Sequence, residues 1–331
     1  MSGGAGGGPR ARPGAAPRLP GPALLNYALK RLVGAVPTLF LIIAITFVMI
    51  RLAPGGPFDK ERRVTAEVAA NLNRAYHLDE PIIVQFGRYL ADLARGDFGP
   101  SFQYKDFSVT ELILGGFPTS LALGSIAMLL ALLLGIGIGM LAALRQNSPV
   151  DYAVMGTAVL GIAVPNFVVA PLLTLWFGLV LRWFPVGGWD EGFTVSHAFL
   201  PIVALALPQV AAIARLTRGS MLEVLRSNFV RTARAKGLPE RITLTRHAIK
   251  ATLPPIVSYL GPAVANIITG SIVIEQIFGI PGIGRYFVQA ALNRDYTLVM
   301  GVVVFYGALI ILFNLAADLL YGLLDPKVRY D

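Results

Sequence analysis

The chain has 331 residues, of which 55% are hydrophobic and only 14% charged, whereas soluble domains carry charge on about a quarter of their residues. It has no cysteine and three scattered histidines, which excludes a disulfide framework, a thiol nucleophile or a thiolate metal site and argues against a histidine metal cluster. The net charge is +9, and in a chain this apolar the excess is informative through where it sits.

Residues 1–25 are rich in Gly, Pro and Arg and contain no apolar run. They read as a disordered tail. Uncharged runs then occupy 32–50, 112–144, 152–181, 198–214, 251–274 and 296–317. A hydrocarbon core of ~30 Å needs about 20 residues of helix at 1.5 Å each. These runs predict six transmembrane helices, each read as one continuous span. The first, within 26–52, is too long for a cleaved leader and has no small-residue cleavage site before Arg51.

Basic residues alternate across the spans. The tail with Lys30 and Arg31, then Arg145, the loop after the fourth span, and Lys327 with Arg329 hold 17 of the 28 bases. The intervening segment 51–111 holds eight bases against nine acids. The positive-inside rule places both termini in the cytoplasm, as an even number of spans does. Trp176, Trp183 and Trp189 fall near the outer end of the third span, where an aromatic belt belongs.

The stretch 53–116 is polar and expected outside the membrane as a small helical subdomain. Helical spacing runs over 66–76 and 82–93, the second opened by Pro81, with Val84, Tyr89, Leu90 and Leu93 on one face. The remaining spans form a core over 117–325, which includes a cytoplasmic loop at 219–250.

Residues 215–250 carry nine bases against two acids. No aromatic platform accompanies them, so nucleic-acid binding is not expected. Within the loop, NFVRTARAKG (228–237) predicts a short helix capped by Asn228 and ended by Gly237 in a left-handed turn, with Pro239 beyond. Phe229 and Ala233 share a face at i,i+4. The small Ala233 and Ala235 are expected to face outward and let a partner protein approach closely.

Polar groups in or near the spans are Asn266, Glu275, Asn314 and Asp318. A carboxylate at membrane depth is a functional candidate because its burial is costly. Glu275 closes an uncharged run, which favours a place at the outer surface, and Asp318 is expected to pair with a nearby base. Asn266, Glu275 and Asn314 are the candidates for a substrate path.

Several segments, in order, resemble one family. RTARAKG followed by RHAIK (246–250) is similar to the cytoplasmic EAA loop of ABC importer permeases, in the variant of the dipeptide/oligopeptide/nickel branch. RLAPGGP (51–57), HLDEPIIVQF (77–86), GDFGPSF (96–102), GIPGIG (279–284) and NRDY (293–296) resemble that branch too, and SFQYKDFSV (101–109) with DPKVRY (325–330) look most like the B-type subunits of oligopeptide permeases. Two departures stand out: Arg231-Thr232-Ala233 replace the Glu-Ala-Ala of the general pattern, and its Ile-x-Leu-Pro ending is absent.

The resemblance implies an all-α polytopic membrane protein with the type I ABC importer permease fold, in a bacterial cytoplasmic (inner) membrane. It implies a peptide importer working by alternating access. The expected partners are a second homologous permease subunit, two ATP-binding subunits (or one with two ATP-binding halves) and an extracytoplasmic peptide-binding protein. The ATPase-coupling residues would be Phe229, Arg231, Thr232, Ala233, Arg234, Ala235, Lys236 and Gly237. ATP and Mg would be bound by partner subunits, with no cofactor, catalytic residue or metal ligand in this chain, which has no phosphate-binding Gly-x-x-x-x-Gly-Lys-Ser/Thr. The alternatives are a nickel importer permease of the same branch and a secondary transporter driven by an ion gradient, although no internal repeat or mid-span carboxylate pair speaks for the latter.

Overall fold

The computed structural model describes residues 22–52, 79–104, 106–189 and 194–324, and all regular elements among them are helical. The tail 1–21, the expected helix at 66–76 and the closing DPKVRY lie outside these residues. In chain order the helices are α1 Pro22–Leu52, α2 Ile82–Ala94, α3 Val109–Leu144, α4 Pro149–Ala163, α5 Asn166–Val180, α6 Val195–Leu225, α7 Asn228–Ala235, α8 Glu240–Phe278, α9 Ile283–Asn293 and α10 Tyr296–Leu324. Five of these (α1, α3, α6, α8 and α10) are long and apolar enough to cross a membrane alone.

The run 152–181 is not the continuous span its hydropathy suggests. It breaks at Val164–Pro165 into α4 and α5, which meet at 106°. Pro165 pushes the residue before it out of the helical region, and Val164 adopts an extended ψ of 119°. The pair still joins the two sides of the bundle. At its start Asp151 bonds to Arg218 near the end of α6. Beyond its end the Gly188 N–H donates to the Phe278 carbonyl at the end of α8. Counted as one crossing, the pair brings the total to six.

The centre of the bundle is the contact between α3 and α6, the most extensive helix pair. A row of small or slim residues along α3, spaced by four, makes it: Leu123, Ala127, Ala131, Gly135, Gly139 and Ala143, all buried. Lipid chains are as apolar as leucine, so close backbone approach rather than hydrophobic transfer drives such pairing. A Cβ built on Gly139 would lie 2.7 Å from the Cβ of Thr217, and one on Gly135 2.8 Å from that of Ile213. Leu200, Ala204, Leu205 and Ile213 of α6 complete the core with Ile256, Ile267 and Ile274 of α8.

On the side opposite the basic loop, two sequence segments far apart meet. Asp295 is fully buried and caps α10, its Oδ1 accepting the Leu298 N–H at 3.1 Å. Its Oδ2 accepts from the Ser101 hydroxyl at 2.5 Å and from the Gln103 N–H at 3.2 Å. The Thr297 hydroxyl donates to the Pro100 carbonyl at 2.6 Å, and the Tyr104 hydroxyl to Gln289 at 2.7 Å. GDFGPSF and NRDY are thus two halves of one fastening that straps 97–104 across α9 and the start of α10.

Replacing Gly139 by Val should therefore force α3 from α6 and cost about 1–3 kcal/mol, the usual range for overpacking. The same change at Gly137, which meets nothing within 4 Å, should be close to neutral. Thermal unfolding of the two variants in detergent or lipid checks the difference.

Candidate functional site

The basic loop folds as α7, and Ser227 rather than Asn228 takes the N-cap position. Asn228 is already helical, and the Ser227 hydroxyl donates to the Val224 carbonyl at 2.6 Å instead of accepting from the new helix. Gly237 ends the helix as expected, with φ of +74°, a region that glycine enters freely. Its N–H donates to the Arg234 carbonyl at 2.9 Å, and the Leu238 N–H to the Ala233 carbonyl at 3.3 Å. Arg234 grips Glu240, just beyond the turn, through two hydrogen bonds of 2.6 and 3.1 Å. This neighbouring carboxylate raises the guanidinium pKa above its ordinary value.

Ala233 does not face outward. It is buried with Val230 in a cluster of Ala143 from α3, Met221 and Val224 from α6, and Ala248 from α8. The free face of α7 carries Phe229, Arg231, Thr232, Arg234 and Ala235, with Lys236 and Gly237 beyond. Phe229 leaves 48% of its surface exposed in this otherwise polar loop. The pattern explains the difference: Val230 and Ala233 are the i,i+3 apolar pair, and they turn inward onto the bundle.

The same region is tied together by an ion pair whose carboxylate is buried. Asp151, at the start of α4, is 1% exposed and accepts from Arg218 Nε at 2.5 Å and Nη2 at 2.6 Å. Its second oxygen also accepts the Asn147 N–H at 2.9 Å. A bidentate fork of this kind fixes direction as well as distance. It locks α4 to α6 seven residues before α6 ends and the chain enters α7.

Further along the bundle, α5, α6 and α8 flank an open groove of about 410 Å³. Asn166, Gln209, Tyr259, Asn266 and Thr269 line it, among apolar residues including Pro165, Phe167 and Pro208. The Tyr259 hydroxyl donates to Gln209 at 3.0 Å. The lining mixes these polar side chains with apolar ones and carries no formal charge. The structure brings Asn266 here, together with four polar partners that the sequence reading passed over. Their signal was available: each is an uncharged polar residue inside or at the edge of an apolar run.

Glu275 and Asn314 are not in the groove. Glu275 is fully buried, not at the outer surface. Its carboxylate accepts the Gly284 N–H at 2.7 Å, while the Ser120 hydroxyl of α3 accepts the Ile283 N–H at 2.9 Å. A Cβ on Gly282 or Gly284 would collide with this carboxylate. The turn GIPGIG is therefore wrapped around Glu275, which joins α8 to α9. Asn314 packs against Gly261 of α8 and borders a cavity with Lys30, Arg31 and Asp318. Asp318 pairs with Arg31 at 3.0 Å.

Comparison with known proteins bears on this arrangement. Residues 135–330 match the family described as the inner membrane component of binding-protein-dependent transport systems, and residues 24–124 match the N-terminal part of such components. The chain belongs to this family. It is 55% identical over 307 residues to the oligopeptide transport system permease protein OppB of Escherichia coli (strain K12), covering 93% of this chain and all of that one. It is 44% identical to the dipeptide transport system permease protein DppB of Bacillus subtilis (strain 168), over 92% of this chain and 98% of the relative. Among solved structures, an amino acid ABC transporter crystallised with histidines matches weakly, at 17% identity and a TM-score of 0.48, covering 66% of this chain and 95% of that one. The permease assignment rests on the sequence relatives.

Removing one partner of the Asp151–Arg218 pair leaves the other without its opposite charge. Arg218→Ala should lower stability, and the double change Asp151→Ala/Arg218→Ala should cost clearly less than the sum of the two singles. Unfolding curves of the four proteins form the cycle that checks this.

Proposed function

We propose that this permease forms one half of the path of an ATP-driven peptide importer. The observation that carries the reading is the near-complete alignment with an oligopeptide permease at 55% identity. The groove supports it chemically. A lining of Asn, Gln, Tyr and Thr side chains without formal charge can exchange hydrogen bonds with a peptide backbone, whose N–H and C=O groups repeat regardless of sequence. It offers no fixed charge that would hold one class of side chain. This fits a path that passes many peptides, with selection made by the extracytoplasmic binding protein.

In this proposal the permease works with a second, homologous permease subunit, and ATP and Mg are bound by two ATP-binding subunits, or one with two such halves. Both termini lie on the ATPase side. The basic loop meets the ATPase through the free face of α7. Phe229 supplies the apolar anchor, Arg231, Arg234 and Lys236 supply charge around it, and Thr232, Ala235 and Gly237 supply the close surface. Ala233 serves from behind, holding α7 on the bundle. Motion at α7 passes into α6 through the shared cluster of Val230, Ala233, Met221 and Val224. The Asp151–Arg218 fork makes α4 move with α6. Gln209 lies nine residues before Arg218 on α6, and Asn166 follows α4 across the Pro165 break. A displacement of α7 therefore reaches α6 and α4 and, through Ala248 of the same cluster, the start of α8, the elements around the groove. That is the rigid-body rocking that alternating access needs.

The reading predicts ATP-dependent peptide uptake by the assembled transporter in vesicles with every ion gradient collapsed. Uptake that follows an ion gradient and ignores ATP overturns it. Phe229→Ala should weaken ATPase association by on the order of 2 kcal/mol, about thirtyfold, as loss of a buried aromatic anchor does, and leave the permease's unfolding temperature unchanged. Ala233→Arg should instead lower that temperature. Gly237→Pro, which cannot reach a φ of +74°, should disturb the turn into α8. Pull-down of the ATP-binding subunits, set beside thermal melts, separates these outcomes.

A further inference from the structure

The two terminal spans provide a depth scale. Helices α1 and α10 pack antiparallel, and three contacts fix their register. Arg31 pairs with Asp318 at one end. Leu39 and Ile42 face Gly307 in the middle. Arg51 and Tyr296 interact at the other end. At 1.5 Å per residue, Arg31 and Leu52 stand roughly 31 Å apart along the axis, the thickness of a bilayer's hydrocarbon core.

Against this scale α2 sits lower than an external helix would. The Phe86 ring lies between two rings of α1, with centroids 5.1 Å from Phe47 and 5.9 Å from Phe40. Those two residues are about 7 and 18 Å below Leu52 by the same rise. The Arg51 guanidinium folds back over the Phe47 ring, 4.7 Å from its centre, and its Nη2 donates to Gln85. Helix α2 is therefore pinned against the flank of α1, within the depth of the outer half of the bilayer.

The sequence of α2 suits that depth. At 100° per residue, Phe86, Tyr89 and Leu93 form the half-buried inner face. Ile83, Gly87, Leu90 and Ala94 line one edge, and Ile82 falls on the inner side at the first turn. Arg88, Asp92 and Arg95 line the opposite edge, where Val84 also falls; Val84 is exposed and not on the inner face that the sequence suggested. The polar edge is paired within itself and with the preceding turn: Arg88 with Glu80 at 2.8 Å and Arg95 with Asp92 at 3.8 Å. Among the described residues the apolar edge has no such cover. Ile83 is 76% exposed and Ile82 58%. On α1, Phe40, Leu41, Ile45 and Val48 are exposed as well.

We propose that α2 is an interfacial helix, with the Ile83–Leu90 edge inserted among lipid acyl chains of the outer leaflet and the Arg88–Asp92–Arg95 edge turned to the headgroups and water. An amphipathic helix with one apolar edge and one charged edge takes this position, its apolar side sunk about 5–10 Å into the boundary. The helix thus anchors the segment that follows it, 97–104, at a fixed height over α9 and α10. The partner of this surface is the membrane, and neither the transport reading nor the direction of transport enters the argument.

The absence of cysteine allows a direct test. In the assembled transporter in phospholipid vesicles, single nitroxide labels are placed at Ile83→Cys and, on the opposite edge, at Arg95→Cys. Collision with oxygen, which concentrates in lipid, and with a water-soluble nickel chelate is read by power saturation. The label at 83 should favour oxygen over the chelate several-fold more than the label at 95. Equal access of the chelate to both positions overturns the proposal. So does a label at 83 that is shielded from both reagents, or that loses chelate access only when the external binding protein is added, because either result makes this edge a protein-docking surface.

Discussion

The bundle depends on how closely α3 can approach α6. In lipid there is no hydrophobic gain from bringing two apolar helices together, so contact must come from shape. The row Ala127, Ala131, Gly135, Gly139 and Ala143 supplies it by leaving almost nothing between the two backbones. The other parts are set by this contact. It fixes the axis of α6, and α6 carries the groove residue Gln209, the clasp residue Arg218 and, at its end, the entry to α7. A bulky residue at Gly139 would disturb all three at once, although none lies on α3.

Polar chemistry inside the permease divides into two kinds. Charged groups do fastening. Asp295 holds the strap 97–104, Glu275 holds the GIPGIG turn, Asp151 holds Arg218 and Asp318 holds Arg31. Three of these four carboxylates are buried, and each lies at a junction of elements, where a misplaced helix would leave it without donors. Neutral amides and hydroxyls gather in the groove, where the break at Pro165 opens the wall. Carboxylates within a membrane bundle invite a transport role, but here geometry gives the charges to architecture and leaves uncharged groups to line the groove.

Much of this was legible in the sequence. Uncharged runs located the six crossings, and the fragments GDFGPSF, GIPGIG and NRDY marked places that the fold turned out to fasten. Other features were hidden because hydropathy reports transfer into lipid and not backbone direction. The break at 164–165 lies inside an apolar run, and only the rule for residues preceding proline signals it. Ala233 was misjudged because small residues suit a partner interface and an internal contact equally well. The i,i+3 spacing of Val230 and Ala233, against a polar remainder, was the clue to its inward face. Glu275 looked like a surface residue because it ends an apolar run. Its burial depends on glycines at 282 and 284, seven and nine positions away, that fold back over it.

The strap across α9 and α10 has a bearing on how the protein is made. Ser101 and Asp295 are separated by 194 positions in sequence, and the ribosome delivers them in that order. Until the last helix emerges, Ser101 and the Gln103 amide lack their acceptor and the strap stays open. Its closure is thus a record of complete biogenesis. A nascent chain truncated before Asp295 would leave the segment 97–104 without this latch.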